Sequence, residues 1–449
     1  MAPLQEHWFD SAGLGVFVHW DAASQAGWEI SWPMVGGVFT LPHGQDVTAE
    51  EYHALGKTFD PQRWDARAFA RQLAACGARY AVLTAKHHNG FALFDTRLSD
   101  HSVMHAAYRR DIVRDFTDAL RAEGLRVGLY VSLSDWHHPD YPAWQDDMRP
   151  YVLGVTPPRP DAQAWSRYRA FLHGQVGELL SNYGQIDLLW FDGQWERSAD
   201  EWDVDGLDTM IRQLQPEIMV NDRLPLHGDY ATPEQFVPSV PLGGRWETCM
   251  TMNESWGYNP TDTDYKSAAE ILCTLVEVRS RGGNLLLNVS PTGDGSLPRE
   301  QGERMAIVAG WMSRNGESVR DVKPGLEPWQ FYGPSTRSRS KTYAFLVMHP
   351  VGKVTLRGVR TSKVTAVREL ASGRELDWGA RLPIFEQLVP DPVGELTITV
   401  PEDVLDPYVT VLVIEGDQAC RPRDPEEERQ MFATVLGATP DAGRRRSDG

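Results

Sequence analysis

Up to about residue 320, short apolar runs alternate with stretches whose apolar residues recur every three or four positions. The runs are Gly15 to Trp20, Arg79 to Thr84, Arg126 to Ser132, Ile186 to Gly193, Ile218 to Asn221, Trp246 to Thr251 and Asn284 to Val289. Several are continuously apolar, the mark of strands covered on both faces in a parallel sheet. Between them, Ala66/Phe69/Leu73/Cys76, Ile112/Phe116/Leu120, Leu172/Val176/Leu179 and Ala268/Leu272/Leu275/Val278 each form one apolar stripe on a helix. This rhythm predicts an α/β fold, a (β/α)8-like barrel with one strand too weak to see. An open doubly wound sheet is the alternative. No G-x-G-x-x-G follows the first strand and no Walker loop occurs, so nucleotide binding has no support.

The period changes near residue 325. Tyr343/Phe345/Val347, Leu396/Ile398/Val400 and Val409/Val411/Val413 alternate with polar neighbours and are separated by Gly, Pro and Asp turns. The expected organisation is a barrel domain over 1–325, an antiparallel β-sandwich over 326–416, and a charged, partly mobile tail over 417–449. Within that tail Met431 to Leu436 could form a short helix.

Composition narrows the function. With 449 residues, 41% of them hydrophobic, the chain can bury a large core. Its net charge of −18 argues against an extended nucleic-acid surface, which needs a basic face. Four widely spaced cysteines match no zinc pattern and read as buried free thiols. With no apolar leader at the start and no run of 18 apolar residues, the expectation is a cytoplasmic protein outside the membrane. Sixteen tryptophans, many beside His, Asp or Glu, suit sugar rings, whose C–H faces stack on indole.

Polar residues can then be placed on the strands. Asp192 ends the apolar run Leu188-Leu189-Trp190-Phe191, at the strand end where parallel barrels collect catalytic groups. A lone aspartate there more often caps a helix or shapes a turn. Here it has company: His19 and Trp20 follow the first strand, His87 and His88 the second, Tyr130 lies on the third and Arg223 follows the fifth, with Glu234 and Glu247 beyond. Three histidines and several carboxylates could supply metal ligands. His87 and His88 are adjacent on an extended stretch, however, so their side chains should point to opposite sides. Hydrogen bonding to sugar hydroxyls explains the set better, because neutral imidazole offers one donor and one acceptor. No metal or cofactor is therefore expected.

Seven blocks carry a family resemblance: Phe17-Val18-His19-Trp20, Thr84 to Phe91, Leu188 to Gly193, Val220-Asn221-Asp222-Arg223, Trp246-Glu247-Thr248-Cys249, Ser255-Trp256-Gly257-Tyr258 and Gly282 to Val289. In this order they resemble the signature blocks of glycoside hydrolase family 29, the retaining α-L-fucosidases, over about residues 5 to 320. The resemblance implies a (β/α)8-like barrel followed by a β-sandwich, in agreement with the periodicity. It places the nucleophile on Asp192 and the general acid/base on Glu234, with Glu247 as the rival acid/base and an ordinary helix-start acid as the other reading of Glu234. It also places His19, His87, His88, Tyr130, Trp190 and Arg223 against the sugar, Phe17 and Trp256 beside its methyl group, and Glu29 against its hydroxyls. Between His19 and Phe59 the chain departs from the family pattern, with Asp21 where the family often has glycine.

The chemistry needs two carboxylates, one to protonate the departing oxygen and one to attack the anomeric carbon, about 5 to 5.5 Å apart if the intermediate is covalent. The charge of Asp192 and desolvation by Trp190 should keep Glu234 protonated, and Arg223 would oppose this if it lies near. The expected partner is a fucosylated oligosaccharide or glycoconjugate, with self-association left open. Competing readings are a non-catalytic carbohydrate-binding barrel and a glycosidase for a related sugar such as an L-galactoside, since a pocket discriminates an added hydroxyl only modestly. A metal-dependent hydrolase would need three ligands on one focus.

Overall fold

Seven parallel strands build the first sheet: β1 (Leu14–Val18), β2 (Tyr80–Lys86), β3 (Arg126–Ser132), β4 (Leu188–Asp192), β5 (Met219–Val220), β6 (Glu247–Met250) and β7 (Asn284–Val289). They lie in the order β5-β4-β3-β2-β1-β7-β6, every adjacent pair parallel. All but the first residue of β3 are buried, as continuous apolar runs require. The computed structural model describes residues 7–36, 47–142, 158–159, 161–389 and 391–435.

Between β5 and β6 the sheet is closed by an extended stretch and not by a regular strand. Single parallel bridges join Asn221 to Tyr230, Ala231 to Trp246 and Glu234 to Cys249. Their main-chain bonds include Asp222 N to Tyr230 O, Glu247 N to Ala231 O and Gln235 N to Cys249 O. This is the strand too weak to see: Pro233 has no N–H to donate, and Thr232-Pro233-Glu234 carries no apolar run. The result is barrel-like.

Helices α1 (Trp8–Ser11), α2 (Ala49–Thr58), α3 (Ala66–Ala75), α4 (Ile112–Ala122), α5 (Ala162–Asn182), α6 (Ala199–Trp202), α7 (Val204–Leu214), α8 (Ala268–Ser280) and α9 (Arg299–Asn315) accompany this sheet. Side chains of Asp65, Asp111, Asp161 and Ser267 accept the first free N–H groups of α3, α4, α5 and α8, each such cap contributing about 1 kcal/mol. The stripes Phe69/Leu73, Ile112/Phe116/Leu120, Leu172/Val176/Leu179 and Leu272/Leu275 are buried, as their spacing demands.

The chain forms two compact units, Met1–Ser313 and Arg314–Gly449. The division falls before the expected 325, because β8 (Lys323–Pro324) already pairs with β9 (Ser335–Arg337). The second unit adds β10 (Lys341–Leu346), β11 (Lys353–Val359), β12 (Ala366–Glu369), β13 (Trp378–Arg381), β14 (Gly394–Thr399) and β15 (Thr410–Glu415). Antiparallel sheets β12-β15-β10-β9-β8 and β11-β14-β13 enclose a core that includes Ala344, Leu346, Leu356, Leu396, Ile398, Leu412 and Ile414. The alternating residues Tyr343, Phe345, Val411 and Val413 are buried too, on the opposite face of β10 and β15. The expected tail from 417 is corrected at its start, since Ala419 and Cys420 belong to this core. A helix, α10 (Pro425–Val435), covers part of the stretch expected to be helical; residues 436–449 lie outside the described residues. All four cysteines are free. Among the described residues no helix is long and apolar enough to cross a membrane.

Candidate active site

The C-terminal ends of the parallel strands open on a cavity of about 750 Å3. Its lining takes Phe17 and His19 from β1 and its exit, His87 from the exit of β2, Tyr130 from β3, and Trp190 and Asp192 from β4. Arg223 comes from the exit of β5, Glu234 from the closing stretch and Trp256 from the loop after β6. Asp192 is the last residue of β4, and the turn behind it requires glycine. Gly193 has φ +76, and a Cβ there would sit 2.6 Å from Ser134 Oγ.

Asp192 and Glu234 are joined through Arg223. Its Nη1 donates to Asp192 Oδ1 at 2.8 Å and its Nη2 to Glu234 Oε2 at 2.5 Å. The guanidinium lies over the Trp190 ring at 4.5 Å, and the Tyr130 hydroxyl donates to Asp192 Oδ2 at 2.8 Å. Burial would raise Asp192, but the Arg223 charge and these donors hold its carboxyl below the usual aspartate range. Glu234, whose other reading is a helix-start acid, is instead bridged to Cys249 in the barrel wall.

The histidines are held from behind. His19 Nδ1 lies 2.7 Å from Asn288 Oδ1, His87 Nδ1 2.6 Å from Ser31 Oγ, and His88 Nδ1 2.6 Å from Ser132 Oγ. Burial keeps all three neutral, lowering His19 and His88 to about 4 and His87 well below its ordinary value. The expectation that His87 and His88 point to opposite sides is wrong: their ring centroids are 4.2 Å apart. Strand alternation fails because the β2–β3 register slips between Thr84 and Lys86 and β2 ends at Lys86. His88 does not line the cavity; it sits behind Asp192, its Nε2 3.7 Å from Oδ2.

Two other expected residues fall outside the lining. Glu29 is buried and accepts from the backbone N–H groups of Trp256 and Gly257, both at 3.0 Å, with burial raising its carboxyl to about 8. It positions the Trp256 loop. Glu247 is the first residue of β6, at the end opposite the rim, and is fully buried inside the barrel. Its carboxylate accepts from Tyr80 Oη at 2.5 Å and from Trp190 Nε1 at 3.0 Å, and burial raises it to about 7. Asp21 caps the 3-10 turn Ala22–Gln25 and accepts from the Asn89 amide, tying the β1 exit to the β2 exit.

Phe17 and Trp256 meet edge to face at 6.0 Å, and the Trp256 ring lies 4.8 Å from that of His19. Together they form an apolar wall beside the polar groups. Sequence reasoning missed Trp32, Gln194, Trp195, Gln235, Thr251, Asn253, Glu254 and Lys266, which complete the lining. Trp195 lies two residues after the Asp192-Gly193 turn, and an aromatic beside a strand-end carboxylate is a signal that could have been followed there. Gln235 has φ +62 and its side-chain amide bonds Thr251, with Nε2 to Oγ1 at 3.0 Å and Thr251 N to Oε1 at 3.3 Å.

His87, His88 and Asp192 could hold a metal ion, one ligand atom from each lying within 4.8 Å of the others. Arg223 already neutralises the carboxylate, so the set does not demand a resident cation.

An α-L-fucosidase family model matches residues 2–317. The human tissue alpha-L-fucosidase is 30% identical over 403 residues, covering 83% of this chain and 82% of its own. Alpha-L-fucosidase isoenzyme 1 from Paenibacillus thiaminolyticus has a structure matching with TM-score 0.79 at 34% identity, over 91% of this chain and 98% of its own. A family 29 α-L-fucosidase from Bacteroides thetaiotaomicron, solved as a trapped covalent intermediate with 2-fluoro-fucosyl fluoride, matches with TM-score 0.75 at 26% identity, over 90% and 94%. The chain belongs to the α-L-fucosidase family, glycoside hydrolase family 29.

Proposed function

We propose that the rim cavity removes terminal α-L-fucose from oligosaccharides or glycoconjugates with retention of configuration, using Asp192 as nucleophile and Glu234 as general acid/base. The observation that carries this is the single guanidinium of Arg223 bonded to both carboxylates. Two carboxylates held by one guanidinium suit a double displacement, whose pair is expected roughly 5 to 5.5 Å apart, against 6.5 Å or more where a water must fit between them. The covalent intermediate trapped in the Bacteroides enzyme supports the same course.

In the first step Asp192 Oδ attacks the anomeric carbon while Glu234 gives its proton to the departing glycosidic oxygen. The product is a β-linked fucosyl ester on Asp192 and a free aglycone alcohol. In the second, Glu234 takes a proton from water as the water oxygen displaces Asp192, releasing α-L-fucose. Tyr130 and Arg223 keep Asp192 ionised and aimed. His19, His87, Tyr130 and Arg223 offer donors and acceptors to the sugar hydroxyls, Trp190 offers only its ring because its Nε1 is spent on Glu247, His88 backs the carboxylate, and Phe17 with Trp256 face the C6 methyl group.

A panel of aryl glycosides, followed by NMR of the first-formed product anomer, tests this reading. It predicts turnover of the α-L-fucoside with α-L-fucose appearing first. β-L-Fucose first, or preference for an α-L-galactoside, would overturn mechanism or substrate respectively.

A further inference from the structure

We propose that the floor of the cavity is also a binding site for a divalent transition-metal ion of the Zn2+ class, held by His87, His88 and Asp192, and that the bound ion excludes the sugar. One ligand atom from each residue lies within 4.8 Å of the other two, and all three residues are buried.

The hydrogen bonds behind the rings decide which atoms face the site. His88 Nδ1 lies 2.6 Å from Ser132 Oγ, and that hydroxyl donates its own proton to the Ser134 carbonyl at 2.7 Å. Ser134 Oγ also stands 3.0 Å from Nδ1 and 3.1 Å from Ser132 Oγ; with the shorter Nδ1 contact made to Ser132 Oγ, the assigned tautomer donates from Nδ1 and leaves the lone pair on Nε2. This nitrogen is buried, has no hydrogen-bond partner, and faces Asp192 Oδ2 at 3.7 Å. Two acceptors thus confront each other, an arrangement that a cation satisfies. His87 spends Nδ1 on Ser31 Oγ at 2.6 Å, leaving Nε2 as its ligand atom.

Two imidazoles and one carboxylate suit Zn2+, Cu2+ or Ni2+, whereas Mg2+ and Ca2+ prefer oxygen-only shells. Serine hydroxyls behind both rings fix their orientation, the role outer-shell partners play at metal sites. Arg223 occupies Asp192 Oδ1 and opposes a second positive charge, which makes the ion exchangeable and not permanent. Because Asp192 is the assigned nucleophile, the ion and a fucoside compete; this last point alone rests on the functional reading above.

The test titrates the full-length protein with ZnCl2 by isothermal titration calorimetry and, in parallel, measures inhibition against an aryl α-L-fucoside. The expected result is one ion per chain, an apparent KM that rises with Zn2+ at constant kcat, and no effect of Mg2+. Asp192→Asn and His87→Gln, checked for retained fold by circular dichroism, should each weaken Zn2+ binding at least about tenfold. The proposal is overturned if Zn2+ does not bind at millimolar concentration, or if inhibition is noncompetitive. It is also overturned if binding survives both substitutions and is lost in His137→Gln, in the separate cluster of His53, His101 and His137. Absence of fucoside turnover would sink the functional reading, while the calorimetry would still decide the metal site.

Discussion

Asp192 and Glu234 share one guanidinium, bonded to Arg223 Nη1 at 2.8 Å and to Nη2 at 2.5 Å. The planar fork fixes the distance and mutual orientation of the two carboxylates in a way a single ammonium cannot. Arg223→Lys should therefore lower kcat/KM by about two to three orders of magnitude, comparable with removing one preorganised donor. Steady-state kinetics on an aryl α-L-fucoside checks this, and a loss of less than about fivefold would contradict the bridging role.

Glu234 and Glu247 are separated by where they stand. Glu234 lines the cavity, whereas Glu247 lies inside the barrel, held by Tyr80 and Trp190. With an activated substrate, azide added to Glu234→Gly should restore turnover and give an α-L-fucosyl azide, because the small anion needs no general base to displace Asp192 from the β-linked ester. Glu247→Gln should show no azide product. Rescue at position 247 and none at 234 would exchange the assignments.

Gln235 adopts a left-handed φ of +62 directly beside Glu234 and clamps Thr251 with its amide. A non-glycine residue in that region is strained, and the clamp holds it there. Gln235→Ala keeps the backbone cost and deletes the clamp, so Glu234 should lose its aim. kcat should fall about tenfold or more on substrates with poor leaving groups, which need protonation, and little on activated aryl fucosides. Equal losses on both would reduce Gln235 to a structural residue.

The histidines set the acid side of the pH profile. Burial lowers His19 and His88 to about 4, so both remain neutral across the range where an ordinary histidine titrates. As pH falls from 6.5 toward 4 the unfolded chain takes up protons that these folded imidazoles refuse, so stability declines across that window. Activity should decline only as pH passes through about 4, with Asp192 still ionised. kcat/KM measured against pH in the stable range checks this; an acid limb near 6.5 would contradict it.

Much of this was legible in the sequence because buried parallel strands have an unmistakable signature. All seven apolar runs became strands, and Asp192 lies at the end of its own. The closing stretch was hidden because its three bridges are isolated and Pro233 breaks the ladder, which is also why Glu234 could read as a helix-start residue. His87 and His88 defeated simple alternation because the chain leaves the strand at Lys86. Glu247 stood in a family block and Glu29 in the stretch that departs from the pattern, and for neither does sequence say whether a carboxylate faces a cavity or the groups behind it. The outer lining from Gln194 to Lys266 comes from loops, where no periodicity constrains the side chains.

The most direct measurement is to treat the enzyme with 2-fluoro-fucosyl fluoride, digest it and sequence the labelled peptide by mass spectrometry. Fluorine at C2 destabilises the oxocarbenium-like transition states, and the good leaving group lets the covalent intermediate accumulate. The account predicts one sugar per chain, attached to Asp192 in the peptide containing Trp190-Phe191-Asp192-Gly193. A label on Glu234, Glu247 or any other residue would contradict it, as would turnover of an aryl α-L-fucoside by Asp192→Gly at the wild-type rate.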